Sequence, residues 1–488
     1  MVIESLKYKI LQQFGFAPTQ EQGQALDTFV SFLTDRDPQA VMILRGSAGT
    51  GKTSLSGAIV RTLLQIRQKV MLLAPTGRAA KVFSLGSGAP AYTIHRRIYR
   101  EKAFAGVDGQ FSLNDNLYTD TLFMVDEASM IANMGLGGTT FGSGCLLDDL
   151  VKFVYQGHND RLLLIGDKAQ LPPVGEEESP ALSASVMEGY GLKVYECDLN
   201  KVLRQSQSSG ILYNATLIRQ MITHDAVTGL PLIRFKGFAD IVMMPGAELV
   251  ESLGDSYHHV GMDETMVITR SNKRANIYNN GIRNMVLDRE EELSSGDMLM
   301  IVKNNYFWTE KEKKESGEGS AGAVPAFLAN GDRAKVLRVS NYIELYGFRF
   351  ATLLLQLPDY DDYEMQVTGM LDTLQSEAPA LTHEQQEELF RQVEEDYQHF
   401  VPLKADRMKS IRQDAYFNAL QIKYAYAVTC HKAQGGQWAH VYVDQGYMTD
   451  DMLTPDYIHW LYTAFTRATD KLFLVNWPKE QTCEPTDL

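Results

Sequence analysis

The octet Gly46-Ser47-Ala48-Gly49-Thr50-Gly51-Lys52-Thr53 fits the pattern GxxxxGK[ST] and follows directly on the apolar run Val41 to Leu44. Its chemistry is phosphate binding. Glycines let backbone N–H groups turn inward around phosphate oxygens, and a helix beginning at the end of the loop adds positive potential. Lys52 is placed to reach the β and γ phosphates of a nucleoside triphosphate, and Thr53 to offer a hydroxyl to Mg²⁺. The run Ser54 to Ile66 is compatible with that helix, which argues against a chance glycine-rich turn. A second pair of interest, Asp126 and Glu127, closes the apolar run Leu122 to Val125. One acid there can hold Mg²⁺ while its neighbour orients water for attack on the γ phosphate. Alone, two acids at a strand end are more often a solvated turn. Following a phosphate loop by one intervening strand reverses that balance.

Such residues must be held at the carboxyl ends of parallel strands, and the chain carries the elements to do so. Short apolar runs recur at Val41 to Leu44, Val70 to Leu73, Leu122 to Val125 and Leu162 to Ile165, with helix-length segments between them. A second series follows at Val267 to Thr269, His440 to Val443 and Leu472 to Val475. The alternation predicts an α/β protein of two lobes, each a parallel sheet flanked by helices. Between about Gly296 and Leu420 the second lobe is interrupted. There Asp297 to Lys303 and Ala334 to Val339 read as β pieces, and Asn330-Gly331-Asp332 as a turn between them. A Glu, Gln and Lys-rich stretch from His383 to Leu420 has helical character, so the insertion reads as a small barrel with a helical extension. Lys311 to Ser320 reads as a mobile loop tip. The expected boundaries are a first lobe at 1–200 with a hairpin subdomain at about 97–121, a second lobe at 201–295 and 420–488, and the insertion at 296–419.

Composition narrows the class. With 488 residues and 44% hydrophobic content the chain can bury several cores. The opening residues MVIESLKYKI lack an apolar secretory core, and no stretch approaches the ~18 apolar residues of a membrane span. Cys145, Cys197, Cys430 and Cys483 lack the spacing of a zinc site or disulfide framework. A reducing, cytoplasmic setting and no membrane contact are expected. The formal charge of −15 argues mildly against a nucleic-acid partner, but much of the acid falls in the runs Asp359 to Glu364 and Glu384 to Glu395, which can face away from a strand.

With Gly166-Asp167-Lys168-Ala169-Gln170-Leu171-Pro172-Pro173-Val174 the chain resembles superfamily 1 helicases of the 1B branch, the Dda, RecD-like and PIF-type enzymes. Further motifs resemble that family in its order, from about residue 19 to 470. Thr19 and Gln22 look like the element that reads adenine. Ala74 to Lys81, with Pro75 and Thr76, and Thr93-Ile94-His95 look like strand-contacting motifs. Val202-Leu203-Arg204-Gln205 resembles the fourth motif, Thr429 to Gln437 the fifth and Tyr462 to Ala468 the sixth. The resemblance implies two RecA-like lobes with an SH3-like barrel in the second, ATP and Mg²⁺ as cofactors, and 5′ to 3′ translocation on single-stranded DNA as a monomer.

The resemblance also assigns roles. Lys52, Asp126, Glu127, Gln170, Arg204 and Arg467 would carry hydrolysis, the two arginines approaching the γ phosphate from opposite the loop. Gln434, Gly435 and Gln437 would join Gln22 and the loop in holding nucleotide; Gln437 stands where the family often has glutamate. Pro75, Thr76, Thr93, His95, Thr429, His431, Lys432 and Thr463 would line the strand path. Gly106-Val107-Asp108-Gly109, flanked by Phe104 and Phe111, reads as a hairpin whose rings either act as a separation wedge at duplex junctions or pack beneath the loop. Three rivals remain: an RNA-directed helicase, an ATP-switched clamp and, more weakly, a small-molecule kinase. Replication, repair or recombination proteins as partners, and the role of Gly135 to Gly144, are left open.

Overall fold

The computed structural model describes residues 2–105, 108–135, 142–201, 208–223, 229–316, 324–325, 327–449 and 452–483. The first half contains, in order, α1 (Val2–Phe14), α2 (Gln20–Leu33), β1 (Ala40–Gly46), α3 (Lys52–Gln65), β2 (Lys69–Ala74), α4 (Gly77–Ser87), β3 (Ala91–Thr93), α5 (Ile94–Ile98), β4 (Tyr99–Ala105), β5 (Asp108–Leu113), β6 (Thr121–Val125), α6 (Leu146–Gln156), β7 (Arg161–Gly166), α7 (Ala184–Gly189) and β8 (Lys193–Leu199). Six strands form a parallel sheet in the order β3-β2-β6-β7-β1-β8. Every residue of β1, β6 and β7 is buried, as strands covered on both faces require. Their alternation divides two cores. Met42, Leu44 and Ile165 pack with Ile10, Phe29 and Leu55 on one face, while Val41, Ile43 and Leu164 pack with Ile98, Leu147 and Phe153 on the other. The ends of β6, β7 and β1 are adjacent, so Asp126, Asp167 and the loop after Gly46 emerge side by side. β4 and β5 form the expected antiparallel hairpin.

The second half begins with α8 (Gly210–Thr223), β9 (Ile241–Met244), α9 (Leu249–His259), β10 (Thr265–Thr269) and α10 (Asn272–Gly281). The insertion follows as β11 (Met298–Ile301), α11 (Phe307–Ser316), β12 (Arg333–Leu345), β13 (Phe348–Leu357), β14 (Tyr363–Met370), α12 (His383–Gln398), α13 (Lys404–Arg412) and β15 (Leu420–Tyr424). The chain then completes the lobe with β16 (Ala427–Thr429), α14 (Cys430–Ala433), β17 (Trp438–Asp444), α15 (Pro455–Phe465) and β18 (Ala468–Val475). The second sheet runs β16-β10-β17-β18-β9, all parallel, and β11 to β15 form a closed barrel.

Three sequence expectations change. Lys311 to Ser316 is the latter part of α11, not a loop tip; Phe307 and Trp308 seat the helix and Trp308 is buried, while residues 317–320 lie outside the described set. The barrel closes on β15, so residues 420–424 belong to the insertion rather than to the second lobe; Leu420, Ile422 and Tyr424 alternate inward, a period-2 pattern too short to assign from sequence. β9, bounded by Asp240 and Pro245, was not foreseen at the sheet edge. The barrel residues Leu299, Val336, Leu353 and Ile422 share one continuous core with Val267, Tyr442 and Phe465 of the sheet and its helix.

Candidate nucleotide cleft and strand-facing surface

The phosphate loop leaves β1 at Gly46 and enters α3 at Lys52. Gly49 and Gly51 adopt left-handed backbone (φ 76° and 81°), and a Cβ on Gly46 would lie 2.9 Å from Thr50 Oγ1. Lys52 Nζ donates to the carbonyls of Gly46 and, at 3.0 Å, Ser47. Thr53 is exposed on the first turn of α3. Gln22 takes part differently from the adenine-reading role expected of it. Its Oε1 accepts from Thr19 N (2.9 Å) in a capping box for α2, and its Nε2 donates to Thr50 O (3.0 Å). Only 1% exposed, this side chain braces the loop from behind.

Across the cleft, Arg467 of the second lobe faces Glu127 of the first, Nη1 to Oε1 at 4.0 Å. Gln170 lies between them. With its amide turned to satisfy both neighbours, it donates to Glu127 Oε2 (3.3 Å) and accepts from Arg467 Nη2 (3.2 Å). Arg467 is 2% exposed and held by Gly436 O (3.1 Å) and Thr463 O (3.1 Å). Glu127 adopts φ 51°, a left-handed conformation costly for a glutamate, which turns its carboxylate toward the cleft. Burial, and then the charge of Glu127, push the Asp126 carboxyl up to about 7. Arg204, expected as a second arginine finger, lies outside the described residues.

The Asp167 to Leu171 loop is bound to α15 along its length. Tyr462 Oη donates to Asp167 Oδ2 (2.6 Å) and accepts from Ala48 N (3.0 Å). His459 Nδ1 meets Ala169 O (2.9 Å), Thr463 Oγ1 accepts from Leu171 N (2.8 Å), and Gln434 Nε2 donates to Leu171 O (2.7 Å). Residues 459, 462 and 463 share one helical face by their i, i+3, i+4 spacing. Ala169 and Leu171 are buried in the second lobe's core although their strand belongs to the first. This corrects two expectations. Thr463 is fully buried with its hydroxyl donating to His459 O (2.8 Å) as well, so it locks lobes together and does not line a strand path. The Gln434 side chain is buried against Leu171 rather than directed to a nucleotide.

The remaining strand candidates divide. Thr76 and Thr93 cap α4 and α5, their hydroxyls accepting from Ala79 N (3.2 Å) and Arg96 N (3.4 Å), with Pro75 half-buried at the bend before α4. His95 packs 5.6 Å from the Tyr99 ring, and desolvation pushes its imidazole down to about 4, so it is a neutral group in this setting. Thr429 is half-buried at the start of α14, and His431, two residues further on, is exposed. Lys432 Nζ is buried without a hydrogen-bond partner among the described residues; desolvation, then the charge of Lys423, hold it down to about 8. Gly435 approaches so closely that a Cβ there would be 3.0 Å from Ala79 Cβ, and Gln437 is exposed with its carbonyl accepting from Arg78 Nη2 (2.5 Å). The Phe111 ring packs on Tyr306 of the insertion (centroids 4.8 Å apart); the Phe104 side chain lies outside the described residues.

Sequence reasoning set Arg78 and Tyr462 within motifs without assigning either a contact of its own, and left His459 out. Arg78 stacks over Trp438 at 4.5 Å and bonds Gln437 O, riveting α4 to the second lobe. The i, i+3 spacing of His459 and Tyr462 ahead of Arg467 was the available signal, but nothing in one sequence says that their partner is a loop some 290 residues away.

Fold and cleft define a two-lobed α/β protein with a phosphate-binding loop where the lobes meet. Residues 17–229 match the AAA domain family and residues 424–475 the UvrD-like helicase C-terminal domain, so the resemblance to superfamily 1B helicases is carried in both lobes. Among curated relatives, an uncharacterised protein of Methanocaldococcus jannaschii is 33% identical over 168 residues, 32% of this chain and 13% of that protein. The ATP-dependent RecD2 DNA helicase of Deinococcus radiodurans is 30% identical over 157 residues, 32% of this chain and 18% of its own length. A match to an uncharacterised protein of Acanthamoeba polyphaga mimivirus covers 90% of this chain and 96% of the relative at 21% identity. Among solved structures, a Pif1 helicase from Bacteroides in complex with ADP-AlF3 and ssDNA is 14% identical over 96% of this chain and 95% of that one, with a TM-score of 0.46. Pif1 helicase from Candida albicans is 16% identical over 96% and 97%, with a TM-score of 0.41. Among the described residues no helix is long and apolar enough to cross a membrane.

Proposed function

We propose that the chain is an ATP-dependent DNA helicase that moves 5′ to 3′ along single-stranded DNA and opens duplexes at junctions. The observation that carries this reading is the bridging set Glu127, Gln170 and Arg467, drawn from both lobes onto one cleft. A phosphate bound there is gripped from two sides, so its cleavage changes the contact between lobes. Lys52 would swing from the Gly46 and Ser47 carbonyls to the phosphates. Glu127 would orient the attacking water, Gln170 would report the γ phosphate, and Arg467, with Arg204 by resemblance, would stabilise developing charge. Thr53 and Asp126 fit Mg²⁺ as hard oxygen donors; the ion supplies charge neutralisation on the phosphate oxygens, and a cation beside Asp126 offsets the burial that raises its carboxyl.

Pro75, Thr76, Thr93, Thr429, His431 and Lys432 would touch the strand, with Lys432 the one buried cation of this group. Polarity rests on the 1B resemblance, and DNA as substrate on that resemblance and on the name of the RecD2 relative. A monomer in the cytoplasm is part of the same proposal, as are the domain boundaries, with the barrel carried to residue 424. The test is strand displacement on DNA with a 5′ or a 3′ single-stranded tail, alongside ATP hydrolysis with DNA and RNA homopolymers. Opening of 5′-tailed substrates and preferential stimulation by DNA are expected. Opening from 3′ tails alone rejects the polarity, and stimulation by RNA alone rejects the substrate.

A further inference from the structure

Between the β4–β5 hairpin, the barrel and helices α11 to α13 lies a groove of about 890 Å³, within the range of ~300–1,000 Å³ common to ligand sites. It is walled by five cationic side chains, Lys303, Lys311, Lys314, Lys409 and Arg412, against two carboxylates, Glu310 and Glu315. In a chain of net charge −15 that local excess of positive charge is the reverse of the average. Its source is regular. Lys311 and Lys314 are three residues apart on α11, and Lys409 and Arg412 three apart on α13, so each helix presents one cationic pair to the same space.

The floor adds aromatic surface. Phe111 of the hairpin lies on Tyr306 (4.8 Å), which stacks on Phe327 (4.7 Å, 22° between planes). Cations that follow a backbone and rings that meet bases are the two components of a sequence-tolerant site for single strands. Phe111 comes from the hairpin and every other lining residue from the insertion, so the groove is separate from Thr76, Thr429, His431 and Lys432 of the lobes.

We propose that this groove binds a segment of single-stranded nucleic acid beside the hairpin, as a second contact in addition to the path across the lobes. The inference rests on the helicase reading and gives α11 and the helical extension a task that the motifs do not. The strand's phosphates lie between the α11 and α13 pairs, and its bases turn toward the half-buried Phe111 ring, which Tyr306, itself backed by Phe327, holds in place.

The experiment compares the full chain with a Lys311→Glu, Lys314→Glu, Lys409→Glu variant, all three positions being exposed, and with the matching Lys→Arg variant. Binding of a fluorescent oligothymidylate is followed by anisotropy across a salt series, and ATP hydrolysis is measured at saturating oligonucleotide. The glutamate variant should bind at least tenfold more weakly, with a log K against log salt slope shallower by about 2, as three lost phosphate contacts at ~0.7 each require. Its saturated hydrolysis rate should match the parent, and the arginine variant should bind as the parent does. An unchanged affinity and slope in the glutamate variant, or equal weakening in the arginine variant, overturns the groove. If the parent's hydrolysis does not respond to oligonucleotide at all, the helicase reading fails instead, and the two failures are told apart.

Discussion

The phenolic oxygen of Tyr462, on α15 of the second lobe, lies 3.0 Å from the amide nitrogen of Ala48 in the phosphate loop of the first. The same oxygen donates to Asp167 Oδ2 at 2.6 Å, so one hydroxyl ties the loop, the end of β7 and α15 together. A phosphate drawing on the Ala48 amide competes with that hydroxyl, and the competition passes through Asp167 to Gln170. Tyr462→Phe keeps the ring and removes the tie. Nucleotide should bind more tightly, hydrolysis without DNA should stay within severalfold of the parent, and stimulation by single-stranded DNA should fall. Steady-state ATPase assays with and without oligonucleotide check this; stimulation equal to the parent's would sink the idea.

Arg467 and Glu127 make a second, sharper case. Arg467→Lys keeps a charge but cannot satisfy Gly436 O, Thr463 O and Gln170 together, and should lower kcat by about 10³ or more. Glu127→Gln should bind nucleotide as the parent does and fail to turn it over. Fluorescent-nucleotide binding read beside kcat separates the two roles; normal turnover in Glu127→Gln removes Glu127 from the chemistry.

Lys432 should give strand binding a pH dependence. With its ammonium held down to about 8, it is charged below that pH and attracts phosphate, and it loses the charge above it. Affinity for an oligonucleotide should therefore be flat from pH 6.5 to about 8 and fall beyond it. Lys423, also held down to about 8 but donating to Ser376 O, contributes a residual slope. Lys432→Met should remove most of the decline, as titrations of anisotropy at several pH values would reveal.

Gly436 tests the rivet between the lobes. A Cβ there would fall 2.4 Å from Trp438 Cη2 and 3.1 Å from Arg78 Cδ, and the rigid indole must move. Gly436→Ala should cost about 1–3 kcal/mol through displaced packing and disturb the Arg78 to Trp438 stack. Denaturant unfolding measures the loss, and unchanged stability would mean that the indole has room the packing does not suggest.

The legible part of this molecule was whatever local periodicity and short motifs encode. Val41 to Leu44 reads as a buried strand because all of its residues are apolar, and the loop after it because glycine, lysine and threonine stand at fixed spacing. The illegible part depended on distant partners. Thr463 carries a hydroxyl compatible with a phosphate contact, and only the approach of Leu171 N makes it a lobe-to-lobe bond. Gln22 has an amide fit for adenine, but the proximity of Thr50 O turns it to bracing the loop. Lys311 to Ser316 looked like a loop for its charge; Trp308, buried one turn earlier, anchors it as helix.

Ala169 and Leu171 sit in the hydrophobic interior that also contains the second sheet and the barrel. The molecule is thus stitched so that a short tongue from one half melts with the other. Heating should not release four independent bodies: the barrel and second sheet should lose structure as one cooperative block, and in doing so pull away the backbone that holds Gln170. The halves cannot part by a large angle without first withdrawing that tongue, so the free energy of extracting two apolar side chains becomes a threshold against idle opening.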